Sequence, residues 1–126
     1  MDRLADAINK IKTNERIGRR ECVLNSTKLV KAVVDALKKN SYIEDYEEFE
    51  EGKFKYIRVK LANKINNIGI IKPRYAVPYG LIQKYEMMYI PSKDFGILLI
   101  STPQGLMTNR DAQEKHIGGR LIAYVY

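Results

Sequence analysis

Ser101-Thr102-Pro103-Gln104-Gly105-Leu106-Met107-Thr108-Asn109-Arg110-Asp111-Ala112-Gln113-Glu114-Lys115-His116-Ile117-Gly118-Gly119-Arg120-Leu121-Ile122-Ala123-Tyr124-Val125-Tyr126 is the stretch around which the chain is organised. An apolar run, Ile97 to Ile100, leads into it, and a second, Leu121 to Val125, leaves it. Between them lie two polar corners, Ser101–Gly105 and Gly118–Arg120. Thr108 followed by Asp111 reads as a capping box, which predicts a helix from near Asn109 to Gly118. If the flanking strands pair, both corners lie on one side of a small sheet. Such a surface presents hydroxyls, glycine N–H groups and one arginine, donors that suit phosphates, 2′-hydroxyls and base edges.

The chain has 126 residues and is 45% hydrophobic, enough for one domain or two small modules with a real core. No window approaches the roughly 18 apolar residues of a membrane span. Met1-Asp2-Arg3 passes at once into an amphipathic pattern, so no secretory signal is expected. Cys22 is the single cysteine, which excludes an internal disulfide and fits a reducing, cytoplasmic setting. Net charge is +7, unevenly distributed. Residues 41–52 hold six acids (Glu44, Asp45, Glu47, Glu48, Glu50, Glu51) and no base. The remainder is strongly basic. One reading is a basic protein with a solvated acidic face; the sharper one is a polyanion-binding body whose acidic segment faces away from its ligand.

Leu4, Ile8 and Ile11 recur at helical spacing, so a first amphipathic helix is predicted over Leu4–Asn14, with Asp2 at or near its N-cap. Lys10 and Arg16 belong to its polar surface. Gly18-Arg19-Arg20 turns the chain into a short strand, Glu21 to Asn25. Ser26 or Thr27 then caps a second helix that buries Leu29, Val30, Val33, Ala36 and Leu37 and leaves Lys28, Lys31, Lys38 and Lys39 wet. A strand from Tyr42 to Phe49, a turn at Glu51-Gly52-Lys53 and a strand from Phe54 to Leu61 complete a module over residues 1–62. Ala62-Asn63-Lys64 is the boundary to a second, mainly β module over residues 63–126. There Ile65 to Ile71 is strand-like, Lys72-Pro73-Arg74 is a basic elbow, and Tyr75, Tyr79, Tyr85 and Tyr89 follow. Tyr85, Met88 and Tyr89, spaced helically from Leu81, read as packing residues rather than stacking platforms. Pro91 to Asp94 turns the chain into Phe95–Ile100. The fold class is α+β, and the two modules are expected to abut.

Chemistry is conspicuous by its gaps. His116 is the only histidine, so a zinc or iron site lacks ligands, and its place at a helix end reads as a cap-region residue. No phosphate-binding glycine motif supports a nucleotide cofactor. Ser101 has no evident base, and the carboxylates at 44–51 read as solvated. The residues themselves therefore point to a non-catalytic RNA-binding module without cofactor or metal. A small hydrolase using Ser101 or the acidic run, and a basic protein adaptor, are the competing readings.

The closing stretch resembles the signature of the S-eight family of small-subunit ribosomal proteins. The likeness rests on Ser101, Thr102, Gly105, Met107, Asp111-Ala112, Gly118-Gly119 and Ala123-Tyr124-Val125-Tyr126, and extends over the whole chain. Tyr126 resembles the archaeal and eukaryotic cytosolic branch. Two departures stand out: Arg3 where family members often have proline, and Ser41 where they commonly have glycine. The resemblance implies a primary binder of an irregular helix in the central domain of small-subunit ribosomal RNA, with neighbouring ribosomal proteins as partners and the ribosome as its place. It also implies that such a protein can bind a similar fold in its own messenger as a translational repressor. The RNA-binding residues expected on both grounds are Ser101, Thr102, Gln104, Gly105, Gly118, Gly119 and Arg120 at the corners, Tyr79 and Arg74 beside them, and Lys10, Arg16 and Lys28.

Overall fold

The computed structural model describes residues 3–91 and 95–126, so the expectations for Asp2 and for the turn through Asp94 lie outside it. The chain divides into two compact units, Met1–Ile65 and Asn66–Tyr126.

In the first unit the order is α1 (Arg3–Arg16), β1 (Glu21–Asn25), α2 (Lys28–Lys39), β2 (Ile43–Glu51) and β3 (Phe54–Leu61). The strands form an antiparallel sheet in the order β1-β3-β2. Leu4, Ala7, Ile8 and Ile11 of α1 and Val30, Val33, Val34 and Leu37 of α2 are buried, as are Cys22, Leu24, Ile57, Val59 and Leu61 on the strands. Periods of 3.6 and 2 thus meet in one core. Thr27, not Ser26, caps α2: its hydroxyl accepts from the Val30 N–H at 3.1 Å. Val34 joins the core, whereas Leu29 and Ala36, predicted to be buried, are only half-buried.

Both helices of this unit end alike. Gly18 after α1 and Ser41 after α2 adopt left-handed φ values of 77° and 64°. The N–H groups of Gly18 and Arg19 bond the carbonyls of Glu15 and Asn14, and those of Ser41 and Tyr42 bond Lys38 and Leu37. These are paired Schellman closures, and Ser41 does fill a glycine-type corner. The acidic run is exposed along its length, as expected of a solvated face. Three of its carboxylates also meet cations at the surface: Glu48 pairs with Lys31 at 2.9 Å, Asp45 with Lys38 at 3.0 Å and Glu47 with Arg58 at 2.8 Å. Lys31 and Lys38 of α2 stay exposed, as expected, and reach two of these acids because helix and hairpin pack together.

The second unit runs β4 (Ile68–Ile70), β5 (Ala76–Val77), a 3₁₀ turn (Tyr79–Leu81), α3 (Ile82–Tyr89), β6 (Ile97–Thr102), β7 (Gly105–Thr108), α4 (Asn109–Glu114) and β8 (Gly119–Val125). The sheet order is β4-β8-β6-β7, with β5 also on β8 and every pairing antiparallel. Ile71, Val77, Ile82, Ile90, Leu98, Ile100, Met107, Ala112 and Leu121 form its core, with Tyr85, Tyr89 and Tyr124 packed on it. Met88 and Leu81 do not join Tyr85 and Tyr89: they are 60% and 45% exposed, because α3 turns Ile82 and Glu86 inward instead. Asn109 is fully inside, its Oδ1 accepting from the Leu98 N–H at 3.0 Å and its Nδ2 donating to Glu86 Oε1 at 3.0 Å. That satisfies polar groups which would be costly to bury alone.

Candidate nucleic-acid interface

Both polar corners come to the same end of the second sheet. Ser101 near the end of β6 stands opposite Arg120 of β8, and Arg120 stands opposite Ala76 of β5. Side chains paired across antiparallel strands share a face, so Ala76, Arg120 and Ser101 form an exposed row. Arg120 Nη1 donates to the Arg74 carbonyl at 3.3 Å, which ties the basic elbow to this row. A guanidinium has five N–H donors, and among the described residues this bond engages one of them.

Within the first corner the two hydroxyls differ. Ser101 is exposed. Thr102 is buried, its hydroxyl donating to the Gly105 carbonyl at 2.7 Å and accepting from the Gln104 N–H at 3.1 Å. The proton expected to serve a ligand is thus committed to the Pro103-Gln104 turn. What Thr102 retains is one acceptor position. Gly105 has φ +113 with open space around it, and Gln104 and Gly105 are both exposed.

The glycines of the second corner also differ from expectation. Their missing Cβ atoms make room for this chain's own backbone. A Cβ on Gly119 would strike the Ser101 carbonyl, and one on Gly118 would strike the Val77 carbonyl. The same Gly118 Cβ would lie 3.0 Å from the Tyr79 N. Hence Gly118 presses on the segment that carries Tyr79, a residue 44% exposed whose ring meets the His116 ring edge to face at 4.9 Å.

His116 is the residue that sequence reasoning left out of the site. The predicted helix end at Gly118 is corrected: α4 stops at Glu114, and His116 takes the left-handed position with φ 55°. Its N–H bonds Gln113 O at 3.2 Å while the Ile117 N–H bonds Ala112 O at 3.0 Å, a Schellman closure that frees Gly118 and Gly119 for strand packing. Thr108 does cap the helix, accepting from the Asp111 N–H at 3.3 Å. The available signal was the pair of glycines, too many for one helix end.

Lys10, Arg16 and Lys28 are exposed on the first unit. Lys10 lines a cleft of about 410 Å³ with Asp6, Asn9, Thr13, Asn14 and Asn25; Arg16 and Lys28 are not among its walls. Lys28 opens α2 directly after the Thr27 cap. Among the described residues no group of three His, Cys, Asp or Glu side chains could hold a metal, and no helix is long and apolar enough to cross a membrane. The family model for Ribosomal protein S8 matches residues 2–126.

Proposed function

The chain belongs to the ribosomal protein S8 family, and from that premise we propose that it is a primary binder of an irregular helix in the central domain of small-subunit ribosomal RNA. Family membership makes it a non-enzymatic structural protein of the small ribosomal subunit, with ribosomal RNA and ribosomal proteins as partners. Beyond that, we read the second unit as the RNA-binding module that organises its RNA for assembly, with Lys10, Arg16 and Lys28 of the first adding phosphate contacts. Tyr126 favours the archaeal or eukaryotic cytosolic branch.

The observation that carries this reading is the exposed Ala76–Arg120–Ser101 row, flanked by Tyr79 and by the Gln104-Gly105 turn. It combines a planar cation, a hydroxyl, exposed backbone and an aromatic face. Those groups address a backbone, a 2′-hydroxyl and an unpaired base at one place. Lys10, Arg16 and Lys28 add charge for phosphates, which binds RNA of any sequence.

Affinity for a central-domain ribosomal RNA fragment and for a duplex of equal length, measured at one stated salt concentration, tests the proposal. We expect clear preference for the fragment. Equal affinity would leave only a generic polyanion binder.

A further inference from the structure

We infer that His116 is a positioning residue: it holds the Tyr79 ring as a platform on which one unpaired nucleobase of the bound RNA stacks. The inference rests on the RNA-binding reading above and adds to it a specificity determinant that touches the ligand only through a neighbour.

Among the described residues, His116 has the one ring that meets Tyr79. Tyr79 opens a 3₁₀ turn in which no residue is buried, so its ring has no core socket. A tyrosine on such a turn samples several rotamers, and a ligand that stacks on it must freeze them. The His116 ring contact, 4.9 Å between centroids with planes at 87°, sets the tyrosine plane beforehand. The geometry matters as much as the contact. In an edge-to-face pair at most one face of one ring is covered by the other's edge. At least one face of Tyr79 therefore stays uncovered by His116, consistent with its 44% exposure.

Both backbones beneath the pair are fixed. His116 occupies the left-handed corner of the α4 closure, φ 55°, where glycine would be the least costly choice. Two residues later Gly118 lies against the Val77 carbonyl and the Tyr79 N. Val77 in turn is in register with Gly119, next to the Ala76–Arg120–Ser101 row. The tyrosine platform is thereby held beside the arginine and serine, so a base on the ring and a phosphate or hydroxyl at the row can be engaged together. Every base has a π-face, so the platform selects for an unpaired nucleotide at that position rather than for its identity.

The test uses the whole protein and a central-domain ribosomal RNA fragment carrying 2-aminopurine at one unpaired position at a time. His116→Gly removes the ring while suiting the left-handed backbone, and His116→Asn is a second substitution tolerant of that conformation. Both should melt no lower than the parent by more than a few degrees. We expect one probe position to be quenched by the parent protein, its quenching lost in Tyr79→Ala and reduced in His116→Gly and His116→Asn. Preference for the fragment over an equal-length duplex should fall about threefold to tenfold in the His116 variants, part of the stacking effect. Adding His116→Gly to Tyr79→Ala should cost nothing more. Unchanged quenching and preference in both folded His116 variants would overturn the inference while leaving the RNA-binding reading intact. A parent protein with no preference for the fragment would overturn both.

Discussion

Gly119 lies against the main chain of Ser101, so closely that a Cβ on the glycine would overlap the serine carbonyl. Two corners separated by a helix in the sequence are thereby one structural feature. Gly119→Ala should destabilise the second unit by about 2 kcal/mol or more, because rigid backbone rather than a flexible side chain must yield. Gly80→Ala is the control: its Cβ would meet nothing within 4 Å and its φ lies outside the left-handed range. Thermal denaturation should show a marked loss of Tm for the first and a change near zero for the second.

Ser101 and Thr102 should separate binding from stability. Ser101→Ala removes an exposed hydroxyl and should lower preference for the central-domain fragment with little change in Tm. Thr102→Ala removes a hydroxyl that donates to Gly105 O and accepts from Gln104 N–H, and should cost about 1–3 kcal/mol of stability. Thr102→Ser, which keeps the oxygen, should restore most of it. Equal losses of Tm in Ser101→Ala and Thr102→Ala would contradict this division.

Phosphate contacts have a signature of their own. Lys10→Ala, Arg16→Ala, Lys28→Ala and Arg74→Ala should each weaken binding to fragment and duplex alike. Each should also reduce the slope of log affinity against log salt by about one. Titrations at several salt concentrations check this, and a change confined to the fragment would mark the residue as a reader of shape.

Glu15 should make stability depend on pH in an unusual direction. Its carboxyl is buried on α1, and burial raises its pKa above the ordinary 4.5, while the backbone N–H groups of Asn63 and Ile65 act in the opposite sense. Its Oε2 has no hydrogen-bond partner among the described residues. A raised folded-state pKa means that the folded protein holds this proton more tightly than the unfolded chain. The group's stabilising contribution is therefore complete below about pH 4.5 and is lost as pH rises through the folded value. Glu15→Gln, which stays neutral, should gain Tm relative to the parent at pH 7, and the gain should shrink towards pH 4. A gain independent of pH would show that charge is not its cause.

Cys22 should be chemically quiet. It is 7% exposed, and burial is the main cause that pushes its thiol up to about 11. Little thiolate is then present at pH 8, and access is poor. Iodoacetamide should label it slowly in the folded protein and rapidly in denaturant; fast labelling of the folded protein would place the thiol elsewhere.

Element type was legible in the sequence wherever one face is buried. Leu4, Ile8 and Ile11 at helical spacing, Ile57, Val59 and Leu61 in alternation, and the Thr108 cap all read locally, because periodicity and caps act within a few residues. Net charge and the corner residues likewise pointed to a polyanion without any fold. What only the tertiary structure decided was where side chains spend their hydrogen bonds and their space. Thr102 and Ser101 are neighbours of similar chemistry, yet the hairpin turn claims one hydroxyl and leaves the other in solvent. Gly118 and Gly119 looked like openings towards a ligand and are instead seats for Val77 and Ser101, because antiparallel register brings backbones together across long sequence gaps. Lys31 and Lys38 lie on the helix before the strand of Glu48 and Asp45, and only the packing of α2 on β2 brings them within 3.0 Å. His116 meets Tyr79 for the same reason: a helix closure and a strand pairing, each local in cause, place residues 116 and 79 side by side only when both are formed.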